Sequence, residues 1–530
     1  MRLTTGRRLG AALAAGAMVL CACGGGGGGG GGGAEPPPAG LPLTLVSGPT
    51  PFSATCSGSS PGATLYRNAE VEPSIAVNPR NPQNLIGYWQ QDRWSDGGAQ
   101  GLIAAASFDG GMTWTRQAPP FSACAGGSYA RASDPWVSFA PDGSAYLIGL
   151  AFTGDLFQPG SSSAVLVSRS SDGGASWSTP VALIADGAQA FNDKEAITAD
   201  PTDAHYVYAV WDRLVSNTSG PTYFARSADG GTTWAAARAI YDPGANSQTI
   251  GNQILVLPDG TLVLFFTQID DAGGGFSAHY AVMRSTDHGD TWSAPVKLAD
   301  ALAIGARDPV SGAPVRDGAN LISVASSASG MLYAVWQDAR FSGGARDGIA
   351  FAQSSDGGAS WGAPVQINAV TSTQAFTPTV RVGANGKLGV SYFDFRDDHG
   401  ATGQLPTDYW LTVSGDGNNW SETRVTGPFD LRNAAHDNGG WFLGDYQALA
   451  ALPEAFLPFF VRANADAGDP SDVYATRLAY TTAGATRLQA RALAAALRIT
   501  PQFAAKVSDA IQRELRESSP PRRAYARRAH

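Results

Sequence analysis

Ser170-Ser171-Asp172-Gly173-Gly174-Ala175-Ser176-Trp177 is the stretch that decides the fold, because its pattern, Ser-x-Asp-x-Gly-x-Thr/Ser-Trp, recurs along the chain. The aspartates of successive copies are 57 to 69 residues apart. A nearly constant period of this size indicates repeated structural units. Five full copies cover residues 107–114, 170–177, 227–234, 285–292 and 354–361, and a copy shortened by one residue covers 414–420.

Each copy has the composition of a tight hairpin turn. Glycine reaches positive φ without strain, so Asp-Gly-Gly between two apolar runs favours such a turn. The aspartate can accept hydrogen bonds from the amides of its own turn. The tryptophan is large enough to pack between neighbouring sheets. We therefore predict repeated hairpins, each sealed by a tryptophan.

This pattern resembles the Asp-box (BNR) repeat of sialidases and related β-propellers, over roughly residues 60–480. The resemblance implies an all-β propeller in which the box aspartates are structural. In that family the boxes lie on the face opposite the active site. The box aspartates here are Asp109, Asp172, Asp229, Asp287, Asp356 and Asp416.

We predict that residues 41–482 form a propeller of seven blades. Each period begins with an inner strand, and a further unit after the last box begins near Asp445 and Tyr446. Leu41 to Val46 is expected to supply the missing fourth strand of that unit, which closes the ring without open sheet edges. Six blades is the alternative, because sialidases have six and the last unit carries no box.

A short helical extension is predicted over residues 483–518. Leu488 to Leu497 is Ala-rich, and Thr500-Pro501 reads as a helix N-cap followed by the first helical residue. An apolar stripe at steps of four follows. The extension either docks on the propeller or binds a partner, and the basic residues 519–530 read as a disordered tail. The stripe consists of Phe503, Val507, Ile511 and Leu515.

Composition and the N-terminus point to an exported protein. The net charge of -9 excludes a nucleic-acid partner overall. Residues 1–23 combine early arginines with an apolar run too short to span a bilayer, as in a signal peptide. Leu20-Cys21-Ala22-Cys23 resembles a bacterial lipobox, with Cys23 as the lipidated residue. Residues 24–40, rich in glycine and proline, would form a tether.

We therefore expect a monomeric lipoprotein at the periplasmic or outer cell surface, anchored in the membrane by its lipid. A plain secreted protein is the alternative. Cys56 and Cys124 are the remaining pair of cysteines, which in an exported chain favours a disulfide over two separate buried thiols.

Polar residues at the predicted inner-strand starts should converge at the channel mouth. A second set consists of an aspartate followed within two residues by an arginine, in four blades. The second set reads either as a repeated ion pair within each blade or as ligand-binding groups. The first set is Glu72, Asp134, Asp193, Glu195, Asn252, Asp317, Asn320, Asp445 and Tyr446, and the second is Asp92–Arg93, Asp212–Arg213, Asp338–Arg340 and Asp394–Arg396.

The sialidase resemblance implies roles for some of these residues. Sialidases hold the substrate carboxylate with three arginines, whose planar guanidinium binds carboxylate bidentately. They use a tyrosine nucleophile activated by an acidic residue. Applied to this chain, the resemblance implies that Tyr446 is the nucleophile and Asp317 its activating acid. It implies that Asp134 or Asp92 is the acid/base. Arg93, Arg340 and Arg396 are the substrate-binding arginines, with Asp92 and Glu195 as further substrate-binding residues.

Two departures keep a second function open. Val71-Glu72-Pro73 stands where the family has Arg-Ile-Pro, and Asn252 stands where it has an acid. We predict a sialidase-like exo-glycosidase that hydrolyses terminal sugars of glycans at the cell exterior. The alternative is a non-catalytic surface propeller that binds glycan, polysaccharide or protein. The channel acids suit a hard cation such as Ca²⁺, but no ligand-loop spacing supports one, so we expect no cofactor.

Overall fold

The computed structural model describes residues 41–517 except 57, 59–61, 217–218, 401–402, 481–484 and 494–496. The predicted signal peptide, the lipidated Cys23, the tether and the basic tail lie outside these residues. Within the described part, no helix has the length and apolar character needed to cross a membrane.

Strands dominate the described chain, so the all-β prediction is confirmed. Nine strands precede Asp186. They are β1 (Thr44–Leu45), β2 (Leu65–Val77), β3 (Leu85–Trp94), β4 (Ala99–Ser107), β5 (Thr115–Gln117), β6 (Arg131–Phe139), β7 (Ala145–Thr153), β8 (Ser162–Ser170) and β9 (Val181–Asp186).

Two four-stranded sheets follow. They are formed by β10 (Phe191–Ala199), β11 (Val207–Leu214), β12 (Thr222–Ser227) and β13 (Arg238–Tyr241), and by β14 (Ser247–Val256), β15 (Leu262–Asp271), β16 (Phe276–Ser285) and β17 (Val296–Asp300).

The last part of the chain adds sixteen strands and one α-helix, α1 (Pro501–Glu517). The strands are β18 (Val315–Arg316), β19 (Ile322–Ser326), β20 (Leu332–Asp338), β21 (Gly348–Ser354), β22 (Val365–Gln366), β23 (Ala375–Val382), β24 (Leu388–Asp394), β25 (Pro406–Ser414), β26 (Asn419–Asp430), β27 (His436–Asp437), β28 (Gly440–Phe442), β29 (Ala448–Ala451), β30 (Ala455–Ala463), β31 (Ser471–Ala475), β32 (Leu478–Ala479) and β33 (Thr486–Gln489). Short 3-10 helices cover Ala123–Ala125, Arg340–Ser342 and Leu431–Asn433.

The first strands of successive antiparallel groups lie side by side. In chain order they are β2, β6, β10, β14, β19, β23 and β29, each in contact with the next, and β29 returns to contact β2. β31 pairs with β2 at Ser471 and Ala69, and with β1 at Tyr474 and Leu45. The N-terminal strand therefore completes the last group of strands, as the sequence predicted.

Each Asp-box forms the turn between the third and fourth strands of its group. In the second box, Ser176 N donates to Asp172 Oδ1 at 2.9 Å and Gly174 N donates to Ser170 Oγ at 2.9 Å. The same pattern recurs in the other full boxes. In the first box, hydrogen bonds from the Thr113 hydroxyl and amide lower the pKa of Asp109 to about 2. The box aspartates therefore act as turn-holding groups.

The box tryptophans pack against the neighbouring group. Trp420 is 1% exposed and its ring lies 5.4 Å from that of Phe351 in β21, an edge-on contact. Trp114 lies 5.6 Å from Phe459 in β30, with the two rings tilted at 47°. Apolar contact between sheets, supplied by one aromatic ring per repeat, is the dominant stabilising term in such an interface.

The helical prediction is right for one half of the extension and wrong for the other. Phe503 N donates to Thr500 Oγ1 at 3.2 Å, the expected N-cap bond, and the apolar stripe of α1 is buried against β16 and β20. Leu488, expected in a helix, instead lies in β33, which pairs with β26 opposite Trp420. The open edge of β26 supplies backbone partners that outweigh the helix propensity of an Ala-rich segment.

Cys56 and Cys124 form the predicted disulfide.

Candidate functional site

The first strands of five groups bend at an equivalent position. Four of the residues there have positive φ although they are not glycine: Glu72 (54°), Asp134 (53°), Lys194 (50°) and Thr377 (50°). Gly251, with φ of 68°, occupies the equivalent position in the fourth group. The strand register shifts at this point, as in a β-bulge. Backbone strain of this kind costs about 1–3 kcal/mol per residue and clusters at functional sites.

Lys194 gathers the carboxylates of three strand groups. Its Nζ lies 2.6 Å from Asp445 Oδ2, 3.2 Å from Asp134 Oδ1 and 3.5 Å from Glu72 Oε1. All four side chains are at most 5% exposed. The four side chains therefore form one buried cluster where these strand groups meet.

Two arginines continue the cluster. Arg316 contacts Asp445 at 2.7 Å and Asp437 at 3.0 Å, and Arg93 contacts the other oxygen of Asp437 at 2.8 Å. The guanidiniums of Arg93 and Arg316 lie 4.7 Å and 4.2 Å from the centre of the Phe442 ring. Positive and negative groups thus alternate, so most of the charge is compensated inside the protein.

The ion pairs and burial shift the pKa values of Asp445 and Glu72 in opposite directions. Burial acts to raise the pKa of Asp445, but Arg316 and Lys194 hold it well below its usual range. Burial dominates at Glu72, whose pKa rises to about 8 in spite of Lys194. Burial also acts to lower the pKa of Lys194, but Asp134, Asp445 and Glu72 raise it well above its usual value. Lys194 therefore remains an ammonium at neutral pH.

A small sheet lies beside this cluster and contributes three of its members. β18 pairs in parallel with β28, which pairs with β27. Segments 126 residues apart therefore meet, with Val315 opposite Trp441 and Arg316 opposite Phe442. β18 carries Arg316, β27 carries Asp437 and β28 carries Phe442. This sheet therefore brings residues from distant parts of the chain to the buried cluster.

A central cavity lies next to the cluster. Its wall includes Asp134, Lys194, Glu195 and Asp445, together with the rings of Trp136 and Tyr446, whose centres are 5.6 Å apart. Carboxylates beside paired aromatic rings are typical of a small-molecule site.

Glu195 is the one carboxylate of the cavity wall that lacks a hydrogen bond in the described part of the chain. Both of its oxygens are buried without a partner, and the residue is 3% exposed. Burial raises the pKa of Glu195 well above its usual value, and the charge of Asp134 raises it further. The Glu195 backbone amide opposes this rise, but it does not satisfy the side chain. Glu195 is therefore favoured as a neutral carboxylic acid, able to donate a proton.

A second cavity follows the first along the same strands. The two share Trp136, Ala196, Gln253 and Arg381, and the second reaches residues near the strand ends, such as Ser138. Asp134 is buried, whereas Trp136 and Ser138 are half-buried. Because first and third strands of an antiparallel group run in the same direction, their following turns meet at one end. The second cavity therefore lies on the side of the first that faces the Asp-box end of the strands.

Arg381 stands where the two cavities meet. Its guanidinium donates to the Val380 carbonyl at 2.8 Å and forms no ion pair with any described residue. Burial lowers the pKa of Arg381 to about 10, which still leaves it charged at neutral pH. This cation is therefore available to an anionic or hydroxyl-bearing ligand.

Three of the residues predicted from the sequence share the cavity: Asp134, Glu195 and Tyr446. Asp317 does not act on Tyr446, because its carboxylate accepts from Ala306 N and Gln337 Nε2. The Tyr446 hydroxyl donates to the Pro135 carbonyl at 3.4 Å. Burial, then the charges of Glu72 and Asp134, raise the pKa of Tyr446 well above 10. This environment disfavours a phenolate nucleophile.

The predicted arginine cluster does not assemble. Arg340 pairs with Asp338 at 2.7 Å, and Arg396 pairs with Asp394 at 2.6 Å, each within its own sheet. Neither arginine lines the cavity. For these two pairs the structural interpretation of the Asp–Arg pattern is correct, because the short spacing along one strand end favours the local partner.

The remaining residues predicted to bind substrate, Arg93 and Asp92, also lie outside the cavity wall, as does Arg213 of the Asp–Arg pattern. Arg93 pairs with Asp437 instead of its neighbour Asp92, and Arg213 pairs with Asp186 at 2.7 Å. Asp92 accepts hydrogen bonds from Asn68 N at 2.7 Å and Thr50 Oγ1 at 2.6 Å.

Sequence reasoning missed Lys194, Arg316, Asp437 and Arg381. A signal for the bulged position was present: proline follows Glu72, Asp134 and Thr377, and proline inside a strand marks a bulge or an edge. The prolines indicate where the strands bend, but they do not indicate which distant charged residues meet at that position.

Comparison with known proteins gives one family. Residues 220–444 match the model of the BNR repeat-like domain, which confirms the resemblance to Asp-box repeat proteins. No curated protein matches the chain significantly.

Several solved structures resemble parts of the fold. The Hadza microbial sialidase Hz136 is 17% identical, with 74% of this chain and 76% of that chain covered and a TM-score of 0.42. An α-L-arabinanase from Penicillium chrysogenum complexed with arabinobiose is 13% identical, with coverages of 83% and 99% and a TM-score of 0.43. The α-L-arabinofuranosidase Arb93A from Fusarium graminearum is 11% identical, with coverages of 83% and 98% and a TM-score of 0.41.

Proposed function

We propose that this protein is a glycoside hydrolase whose active site is the central cavity, with Glu195 as the general acid and Asp134 as its carboxylate partner. One observation carries the proposal: Glu195 is buried in the cavity wall, without a hydrogen-bond partner, in the electrostatic field of Asp134. Most glycosidases cleave the glycosidic bond with two carboxyl groups that differ in environment and therefore in protonation state.

The chemistry follows from these environments. Protonated Glu195 donates its proton to the glycosidic oxygen as the bond to the anomeric carbon breaks. The Asp134 carboxylate, 3.2 Å from Lys194 Nζ, then faces the positive charge that develops on the sugar ring or activates the attacking water. The rings of Trp136 and Tyr446 provide apolar surfaces for the sugar.

The substrate class in this proposal is a terminal sugar of a glycan, bound with help from Arg381. An arginine without a carboxylate partner favours a sugar that carries a negative charge. We also propose that the protein is a monomeric seven-bladed propeller that needs no catalytic cofactor. In this proposal it is exported and anchored in the membrane by a lipid at Cys23.

The test is hydrolysis of fluorogenic sialosides, uronides and neutral glycosides by the purified protein. We expect turnover of at least one substrate, and a loss of about 10²–10⁴-fold in kcat for Glu195→Gln. Glu454→Gln is the matched control, because Glu454 is exposed in the turn between β29 and β30. Tyr446→Phe should retain activity. A loss in Tyr446→Phe with full activity in Glu195→Gln would restore the sialidase mechanism and remove ours.

A non-catalytic glycan-binding propeller is the second candidate. The observation that favours it is the ion pairing of Lys194, which already neutralises much of the charge that catalysis would use. If no glycoside is hydrolysed and wild-type protein binds a glycan that Arg381→Met does not bind, this candidate replaces the first.

A further inference from the structure

Three carboxylates meet where the first and last strand groups join. Glu70 lies in β2, Asp472 in β31, and Asp469 in the loop between β30 and β31. One oxygen from each residue lies within 4.8 Å of the others. This group is separate from the central cavity, whose wall contains none of the three.

Glu70 supplies an independent sign that a ligand is needed here. The residue is completely buried, and Oε2 has no hydrogen-bond partner among the described residues. Its Oε1 accepts a hydrogen bond from Gln91 Nε2. A buried carboxylate oxygen without a partner is costly, and such groups are normally paired or bound to a metal.

No described cation compensates the three charges. Glu70, Asp469 and Asp472 form no ion pair with any described residue, and the nearby Arg67 lies 4.0 Å from Asp92 instead. Asp472 accepts from Ser47 Oγ at 2.6 Å and from Asn464 Nδ2 at 2.7 Å, which are neutral donors. Burial and the charge of Asp472 raise the pKa of Glu70 well above its usual value and that of Asp469 to about 6. The repulsion among the three carboxyl groups is therefore not compensated by any described cation.

We propose that Glu70, Asp469 and Asp472 bind a divalent cation of the Ca²⁺ type. Ca²⁺ takes carboxylate and carbonyl oxygens in flexible geometry, whereas Mg²⁺ requires a near-ideal octahedron and gives up water reluctantly. Oxygen ligands from two strands and a loop, with no cysteine or histidine among them, fit Ca²⁺ better.

The position of the site gives the cation a structural role. β2 and β31 make a single backbone pairing, Ala69 with Ser471, and Ser471 Oγ donates to the Glu70 carbonyl at 2.9 Å across 401 residues of sequence. A cation held by both strands would fasten the two ends of the chain at this junction. This cation site is independent of the proposed glycosidase activity.

The test uses the full chain after dialysis against EGTA. Added CaCl₂ should bind with a stoichiometry of one in titration calorimetry, and should raise the thermal midpoint of the wild type. Glu70→Gln should weaken binding by ~10-fold or more, since even outer-shell changes cost that much. Glu454→Gln, the same chemical change at an exposed position of the neighbouring hairpin, should respond like the wild type.

A second measurement separates a cation site from a general structural role. In EGTA, Glu70→Gln should be at least as stable as the wild type, because it removes a buried carboxyl group that has no cation partner. In Ca²⁺ the order should reverse. If Glu70→Gln does not fold, Asp469→Asn, at a half-buried loop position, provides the same comparison.

Two outcomes would overturn the site. The first is wild-type protein that binds no Ca²⁺ up to ~10 mM, above the ~10⁻⁴–10⁻³ M range of extracellular calcium modules. The second is equal Ca²⁺ stabilisation of the wild type, Glu70→Gln and Asp469→Asn.

Discussion

Lys194 Nζ lies 2.6 Å from Asp445 Oδ2, although 251 residues separate the two in sequence. The contact joins the third group of strands to the last and places a cation among the carboxylates of the channel. Asp445 also binds Arg316, so one carboxylate serves two buried cations. Removing either partner leaves a buried charge without compensation, which is far more costly than losing a surface pair.

Lys194→Met should therefore destabilise the protein by ~3–5 kcal/mol at neutral pH, measured by chemical denaturation. The sign with pH follows from Asp445, whose pKa in the folded state is held below its usual value partly by Lys194. That contribution is present above the unfolded pKa of Asp and is lost as pH falls through the folded one. The difference between wild type and variant should shrink on acidification. Lys297→Met, at a half-exposed pair with Asp300, should cost at most ~1 kcal/mol.

The pH dependence of hydrolysis should report Glu195. As a general acid it acts only when protonated, and its pKa lies well above 4.5 because of burial and Asp134. The rate should therefore persist above pH 4.5 and decline as pH rises through the raised pKa. The profile of kcat/KM measures this limb. A rate that increases with pH over the same range would show that Glu195 acts as a base or not at all.

Arg381 and Arg396 should respond in opposite ways to removal of their charge. Arg381→Met should raise KM for an anionic glycoside by ~10–100-fold, the value of one charged hydrogen bond, with little change in stability. Arg396→Met should cost ~3–5 kcal/mol of stability because it leaves Asp394 and Glu422 buried without their cation. KM of the folded Arg396→Met protein should stay unchanged. A raised KM in Arg396→Met alone would return that arginine to the substrate site.

Trp420→Ala should destabilise the protein by ~3–5 kcal/mol, because the ring is fully buried against Phe351. Met112→Ala, in the first box, is the control. Met112 is 63% exposed, so its removal should change the unfolding free energy by at most ~0.5 kcal/mol. Equal effects of the two substitutions would mean that the box tryptophan does not join neighbouring sheets.

Local patterns predicted local structure well. The box hairpins, the Thr500 cap, the stripe on α1 and the use of Leu41–Val46 as a strand all depend on residues close in sequence or on one strand edge, and all are found. Leu488 is the exception, because the edge of β26 competes with its helix propensity. Prediction of the site was weaker. Asp134, Glu195 and Tyr446 share a cavity as their repeat positions suggested, but Arg340 and Arg396 bind their own neighbours.

The sequence by itself determined the repeat, the turn chemistry and the polar residues at the starts of the first strands. These follow from glycine, proline and tryptophan at short, regular spacings, whose conformational preferences act within a few residues. Tertiary structure alone decided which charges meet: Lys194 with Asp445, Arg316 with Asp437, and Glu70 with Asp469 and Asp472. Coulomb energies and desolvation depend on distances in space, and those distances exist only once the first strands are arranged side by side.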